Sequence, residues 1–228
     1  MNVFLDIETI PCQAPGVVEQ LAAEVQAPAT HKRPESIKAW LDENRQAVAT
    51  EQWLKTSFDG GVGQIVCVSW AFDQGDTRAL QVADLSPQSE AALLEVWFSD
   101  LSKAFKGTSG TRPCLVGHNH VSFDIPFVWK RAIVLGIKPP FWFPRDPKPW
   151  SDTTFDTMTA WAGARDRISL DRLCKLLSIP GKDGMTGADV WPAVQAGRLD
   201  EVAEYCRADV ERVRSIWRRI NFTDGLAR

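Results

Sequence analysis

Near its start the chain runs Val3-Phe4-Leu5-Asp6-Ile7-Glu8-Thr9-Ile10, three β-forming residues leading into two carboxylates one residue apart. In an extended strand, residues i and i+2 point to the same face. Asp6 and Glu8 therefore project side by side from a short strand, and their apolar neighbours predict that it is buried. Two adjacent buried carboxylates repel and lose solvation unless a cation joins them. Mg²⁺ and Mn²⁺ are hard ions that favour carboxylate oxygen, so the pattern points to a divalent-metal site. The alternative is a strand end carrying two solvated acids. The metal reading requires partners from elsewhere in the chain.

The pattern of the remaining sequence supplies the frame for such partners. Residues 64–72 are a β run, 73–76 a hairpin turn, and 77–82 the return strand. Helical periodicity covers 87–105, ended by Gly107, and 123–135, ended by Gly136. Between them lies a short buried strand, 113–117. Residues 139–149 are rich in Pro and aromatics and read as a rigid loop. A short edge strand is expected at 154–158, a helix from Ser169 as N-cap to Leu177, a glycine-rich loop at 181–187, a short helix at 189–195, and a long helix at 199–220. Between the first two strands, 11–28 reads as loop with a helical turn near 17–25, and 35–55 as an amphipathic helix that either packs on the core or forms a mobile arm. Strands alternating with helices indicate an α/β chain with a mixed sheet.

The totals exclude several classes. A net charge of −3 supplies no global field for coating nucleic acid, but permits a local positive groove. The five cysteines are widely spaced and form no C-x-x-C pair, which argues against a zinc or disulfide framework and for reduced thiols in the cytoplasm. The N-terminus enters a strand without a signal peptide, and no apolar run approaches the ~20 residues that span a bilayer.

Three further acids stand out. Asp124 follows the polar stretch Gly117-His118-Asn119-His120-Val121-Ser122-Phe123, where a strand hands over to a helix and α/β proteins tend to place function; it is either a helix cap or a site residue. Tyr205 and Asp209 lie one turn apart on the final helix, on a face shared with Val202 and Val213. An inward Asp209 needs a partner. Arg207 and Arg212 are candidates, although they flank the other faces. Asp156 reads as a cap or a supporting group rather than a metal ligand.

Asp6-x-Glu8, Asn119-x-x-x-Phe123-Asp124 and Tyr205-x-x-x-Asp209, in that order, resemble the three motifs of the tyrosine branch of the DEDD exonuclease superfamily. The similarity is to its stand-alone members related to the proofreading domain of family-B DNA polymerases. Residues 63–70, 155–158 and 169–187 add to the resemblance, and 13–58 match only loosely. The resemblance implies a ribonuclease-H-like fold, a mixed five- to six-stranded sheet flanked by helices, as a single 3′–5′ exonuclease domain over 1–228 with a helical insert at about 13–58. It implies two divalent ions, Mg²⁺ or Mn²⁺, held by Asp6, Glu8, Asp124 and Asp209, with Asp6 bridging both and Tyr205 aiming the attacking water. Thr9, Asn119 and Phe123 are expected to contact the nucleic acid, a single-stranded 3′ end, with DNA the expected substrate. RNA 3′-end trimming and a non-catalytic nucleic-acid-binding module are the alternatives. Lys175 and Lys182 are candidate phosphate contacts, or solvated lysines.

Overall fold

The computed structural model describes residues 1–106, 111–148, 151–181 and 184–225. Lys182, Gly107 and Pro149 lie outside the described residues. Strand β1 (Asn2–Ile10) is the middle of a five-stranded sheet. On one side β2 (Gln64–Phe72) pairs with it antiparallel, and β3 (Arg78–Gln81) returns antiparallel beside β2. On the other side β4 (Cys114–Gly117) and then β5 (Thr154–Asp156) run parallel to it. Helices α1 (Val17–Glu24) and α2 (Pro34–Lys55) lie between β1 and β2 in the chain. Helix α3 (Pro87–Lys106) precedes β4, and α4 (Asp124–Leu135) precedes β5. After β5 come α5 (Thr157–Ala162), α6 (Leu170–Leu176), α7 (Val190–Gln195) and α8 (Leu199–Ile220). The mixed sheet flanked by helices is the ribonuclease-H-like arrangement expected from the motifs.

Strand β1 is apolar along most of its length because both of its faces are covered. Val3, Leu5 and Ile7 join a large core with Trp97 and Leu101 of α3 and Ile125 and Val128 of α4. Phe4 packs in a second core with Leu173 of α6 and Val210, Val213 and Ile216 of α8. Burying each such aliphatic side chain contributes roughly 1.5–3 kcal/mol, so α8 is held firmly. Its Trp217 meets the Phe4 ring edge-on at 5.7 Å. By strand alternation Asp6 and Glu8 share the face of Phe4, and that face belongs to α8.

Opposite that face, one buried ion pair joins four segments. Glu90 of α3 takes Arg131 Nε and Nη2 of α4 at 2.8 and 2.6 Å, and its Oε1 also accepts the Ile65 N–H at 2.9 Å. Arg131 Nη1 reaches the Gly60 carbonyl at 3.4 Å.

The helical segment between β1 and β2 is docked rather than free. Trp53 Nε1 donates to the Cys12 carbonyl at 2.7 Å, the Cys12 N–H to Thr56 Oγ1 at 2.8 Å, and Thr9 Oγ1 to the Ser57 carbonyl at 2.7 Å. The 3₁₀ turn Thr56–Phe58 thus lies against the end of β1. Gly63 permits this approach: a Cβ there would sit 2.5 Å from the Thr56 carbonyl oxygen and 3.2 Å from those of Asp59 and Ile10. Among the described residues, no helix is long and apolar enough to cross a membrane.

Candidate active site

The Asp6 and Glu8 carboxylates and the Cys206 thiol each bring a ligand atom within 4.8 Å of the others. Cys206 follows the apolar period of α8 and is a fully buried core residue. Its Sγ also donates to the Asp6 backbone carbonyl at 3.5 Å. Burial, with Cys67 and the two carboxylates adding, raises this thiol well above its ordinary range. Cys67 lies opposite Glu8 in the β1–β2 register. A thiol kept protonated is a poor ligand, so the effective donors are the two carboxylates, which suit a hard divalent ion. The ladder shifts register between Glu8 and Thr9, next to this pair, in keeping with the tendency of bulges to re-aim side chains beside functional sites.

Helix α8 delivers the next two groups. Tyr205 is pushed above its ordinary pKa by burial, then by Asp209, Glu8 and Asp6, and its hydroxyl is hydrogen-bonded to Asp209. The phenol is therefore neutral and surrounded by the acids with which the motifs grouped it. Asp209 also pairs with Arg212, Nη1 to Oδ1 at 2.7 Å. The sequence reading placed Arg212 on another face of the helix; the structure corrects this, because i and i+3 are neighbours on a helix surface. Arg212 Nη2 in turn donates to the Gly181 carbonyl at 2.9 Å, fastening the loop after α6 to the site. Arg207 pairs with Glu204.

Asp124 is not the cap of α4. Phe123 occupies that position without a side-chain cap bond. Asp124 Oδ1 instead accepts the Ile7 N–H at 3.2 Å, on the strand between the two carboxylates. Strand β4 pairs with β1 only at Asn2–Phe4, and the backbone donor beyond that point must find another acceptor. Burial, only partly offset by His120 and backbone N–H groups, pushes Asp124 up to about 7.

Asp156 is the cap. Its Oδ1 accepts the Met158 and Asn119 N–H groups, each at 2.9 Å, and its Oδ2 accepts the Val121 N–H at 3.2 Å. Burial opposes its charge, but His120 and these N–H groups outweigh it and hold Asp156 below the usual carboxylate range. The supporting role expected for Asp156 is the one observed. Asn119, held by Asp156, has φ 62°, which Asn tolerates better than most residues. Its Oδ1 is buried without a hydrogen-bond partner among the described residues.

Glu8 and Thr9 also line a cavity of about 560 Å³ whose other walls include Leu54, Phe58, Phe123 and Trp191. A second, of about 820 Å³, is lined by Tyr205 and Arg212 together with Asp189 and Arg198. Sequence reasoning named Arg212 as a possible partner of Asp209, which the structure bears out; it missed the approach of Cys206 to the acids and the part of Leu54 and Phe58 in the cavity wall. Cys206 carries a recognisable signal, its spacing of three from Asp209. Lys175 pairs with Asp171 at 2.8 Å and is largely exposed, as a solvated lysine would be.

Residues 52–227 match a protein family described as a predicted 3′–5′ exonuclease related to the exonuclease domain of PolB. The chain belongs to this family. The matched range contains Asn119, Phe123, Asp124, Tyr205 and Asp209 and begins after β1, so Asp6, Glu8 and Thr9 rest on geometry instead. The fold is similar to that of the family B DNA polymerase from the hyperthermophilic archaeon Pyrobaculum calidifontis, with a TM-score of 0.55, 16% identity and 96% of this chain covered. The chain spans 24% of the length of that polymerase. No curated protein matches significantly. Membership of this exonuclease family makes the chain a nuclease-type hydrolase by descent. Exonucleases of this kind generally use divalent metals, and the Asp6–Glu8 pair offers suitable oxygens.

Proposed function

We propose that the chain is a 3′–5′ exonuclease that removes nucleotides from a single-stranded DNA end, acting as one catalytic unit over 1–228. The observation that carries this reading is the meeting of Asp6 and Glu8 from β1 with Tyr205 and Asp209 from α8. Asp6, Glu8, Asp124 and Asp209 would hold two Mg²⁺ or Mn²⁺ ions, which when bound supply charge neutralisation at the phosphate and a more acidic water.

The side chains have separable roles. Tyr205 stays protonated, so it orients the attacking water by hydrogen bonding and does not act as a base. Asp209 already accepts from Tyr205 and Arg212, which keeps its carboxylate directed at the site before any ion arrives. Asp124 must lose a proton to serve as a ligand, a step that its burial opposes in the metal-free protein. Asn119 and Phe123, beside Asp124, would contact the terminal nucleotides, together with Thr9. Contacts to sugar, phosphate and base faces bind a strand with little sequence preference. The five cysteines are free, in keeping with the cytoplasmic setting we propose.

The test is a time course on 5′-labelled single- and double-stranded DNA and RNA with Mg²⁺, with Mn²⁺ and with EDTA. Single-stranded DNA should shorten stepwise from its 3′ end, and EDTA should stop it. Cleavage indifferent to EDTA, or no cleavage of any strand, would remove the proposal. A faster reaction on RNA would move the substrate and leave the site.

A further inference from the structure

Helix α2 and the turn that follows it have no place in the three motifs. They end at the cavity of about 560 Å³ whose inner wall carries Glu8 and Thr9. Leu54 and Phe58 form its outer wall and are 41% and 72% exposed, although both are large and apolar. Phe58 lies 6.4 Å from Phe123, ring centre to ring centre, with the planes inclined at 61°. Trp191 lines another side and is met edge-on by Trp53 at 5.5 Å. At the rim Glu51 and Lys55 pair with each other at 2.6 Å, so the rim offers little net charge. The volume falls in the range of small-ligand sites, roughly 300–1,000 Å³.

These features select an occupant. Aromatic and aliphatic walls with a near-neutral rim suit a flat, uncharged, π-faced group better than a phosphate. A strand whose scissile phosphate lies at Asp6 and Glu8 must place an adjoining nucleoside within one nucleotide's reach, and Glu8 is itself part of the wall. We propose that the segment between β1 and β2 is a substrate-binding element, in which Phe58 and Leu54 pack the terminal nucleobase against Phe123. This rests on the nuclease reading above and adds to it half of the apolar contact, drawn from a segment that the motifs do not include. The hydrogen bonds of Thr9 to Ser57 and of Cys12 to Thr56 hold that wall at a fixed distance from the carboxylates. Stacking of this kind is tolerant of base identity, since every base has a π-face.

The experiment measures binding of the full chain to a 5′-fluorescein oligodeoxythymidylate by anisotropy in Ca²⁺, with a phosphorothioate as the last linkage so that the end persists. The comparison strand ends in an abasic residue. The wild type should bind the end that carries a base about 5- to 100-fold more tightly, the range expected for one stacked base. Phe58→Ala and Leu54→Ser should bind both ends alike, so that losing the wall and losing the base are not additive. Mn²⁺ affinity by calorimetry and the melting curve should be unchanged, because both side chains are exposed. If both variants keep the wild-type preference, or if they alter only self-association in sedimentation, the wall proposal fails and the nuclease reading stands. If the wild type binds neither end and degrades no strand, both fail.

Discussion

Arg131 holds Glu90 with two nitrogens, at 2.8 and 2.6 Å, whereas Arg212 holds Asp209 with one, at 2.7 Å. The first pair joins two helices and is almost wholly buried; the second spans one turn of α8, and its arginine borders a cavity. Buried, bidentate and multiply hydrogen-bonded, the Glu90–Arg131 pair is permanent, because separating it strands a charge in the interior. The Asp209–Arg212 pair is shorter in sequence and weaker in geometry, and under the proposed function it would give way to a metal ion. The same chemistry thus fastens the fold on one face of the sheet and, on the proposed function, would yield to a metal on the other.

Arg131→Ala tests the permanent pair and should have the largest effect on the fold. It is expected to destabilise by about 3–5 kcal/mol in urea unfolding, with cleavage per folded molecule retained. A loss below about 1 kcal/mol would make the two pairs equivalent. Asp209→Asn tests the exchangeable pair from its acidic side. Cleavage should fall about 10²- to 10³-fold, roughly 3–4 kcal/mol in barrier, while urea stability changes little.

The contrast extends to protonation. Asp124 is pushed up to about 7 and stands near 4 when unfolded, so between these values the folded chain binds the extra proton. In metal-free protein, stability should therefore fall as pH rises from about 4 to about 7, by about 3 kcal/mol. Asp124→Asn should flatten that slope; an unchanged slope would assign it to other groups. Asp156 behaves oppositely. Its depressed pKa lends stability that is present above about 4 and is lost as pH falls further. The smallest effect is expected at Arg212→Gln. Stability should drop by less than about 1 kcal/mol, and Mn²⁺ should bind up to about 5-fold more tightly once the competing guanidinium is gone. Weaker Mn²⁺ binding would show instead that Arg212 positions Asp209 for the ion.

Strand β2, the hairpin at 73–76 and the bounds of α8 could be read directly from the sequence, because periodicity there is uninterrupted. The order of the acids was equally legible, since side-chain spacing along one strand or helix follows from local geometry. What could not be read is how separate elements meet. Local pattern left Asp124 open between a helix cap and a site residue, and only the structure shows it bonding to Ile7, beyond the reach of β4. Cys206 is core, as its apolar period indicates, but its approach to Asp6 and Glu8 stayed hidden because an apolar stripe and a site-facing stripe overlap on α8. Helix α2 could have been an arm, and three hydrogen bonds to residues forty or more positions away decided otherwise. Those are long-range facts, and no local pattern encodes them.

Gly63 is not among the residues that line the cavity, yet three backbone carbonyls crowd the place where its side chain would be. Even an added methyl group would have to push the 3₁₀ turn away from the end of the first strand, since backbone oxygens cannot rotate aside. If Leu54 and Phe58 clamp the substrate as proposed, the distance from that clamp to the carboxylates is set by an absence of atoms, and Gly63→Ala should loosen the clamp without altering any of the proposed contact residues.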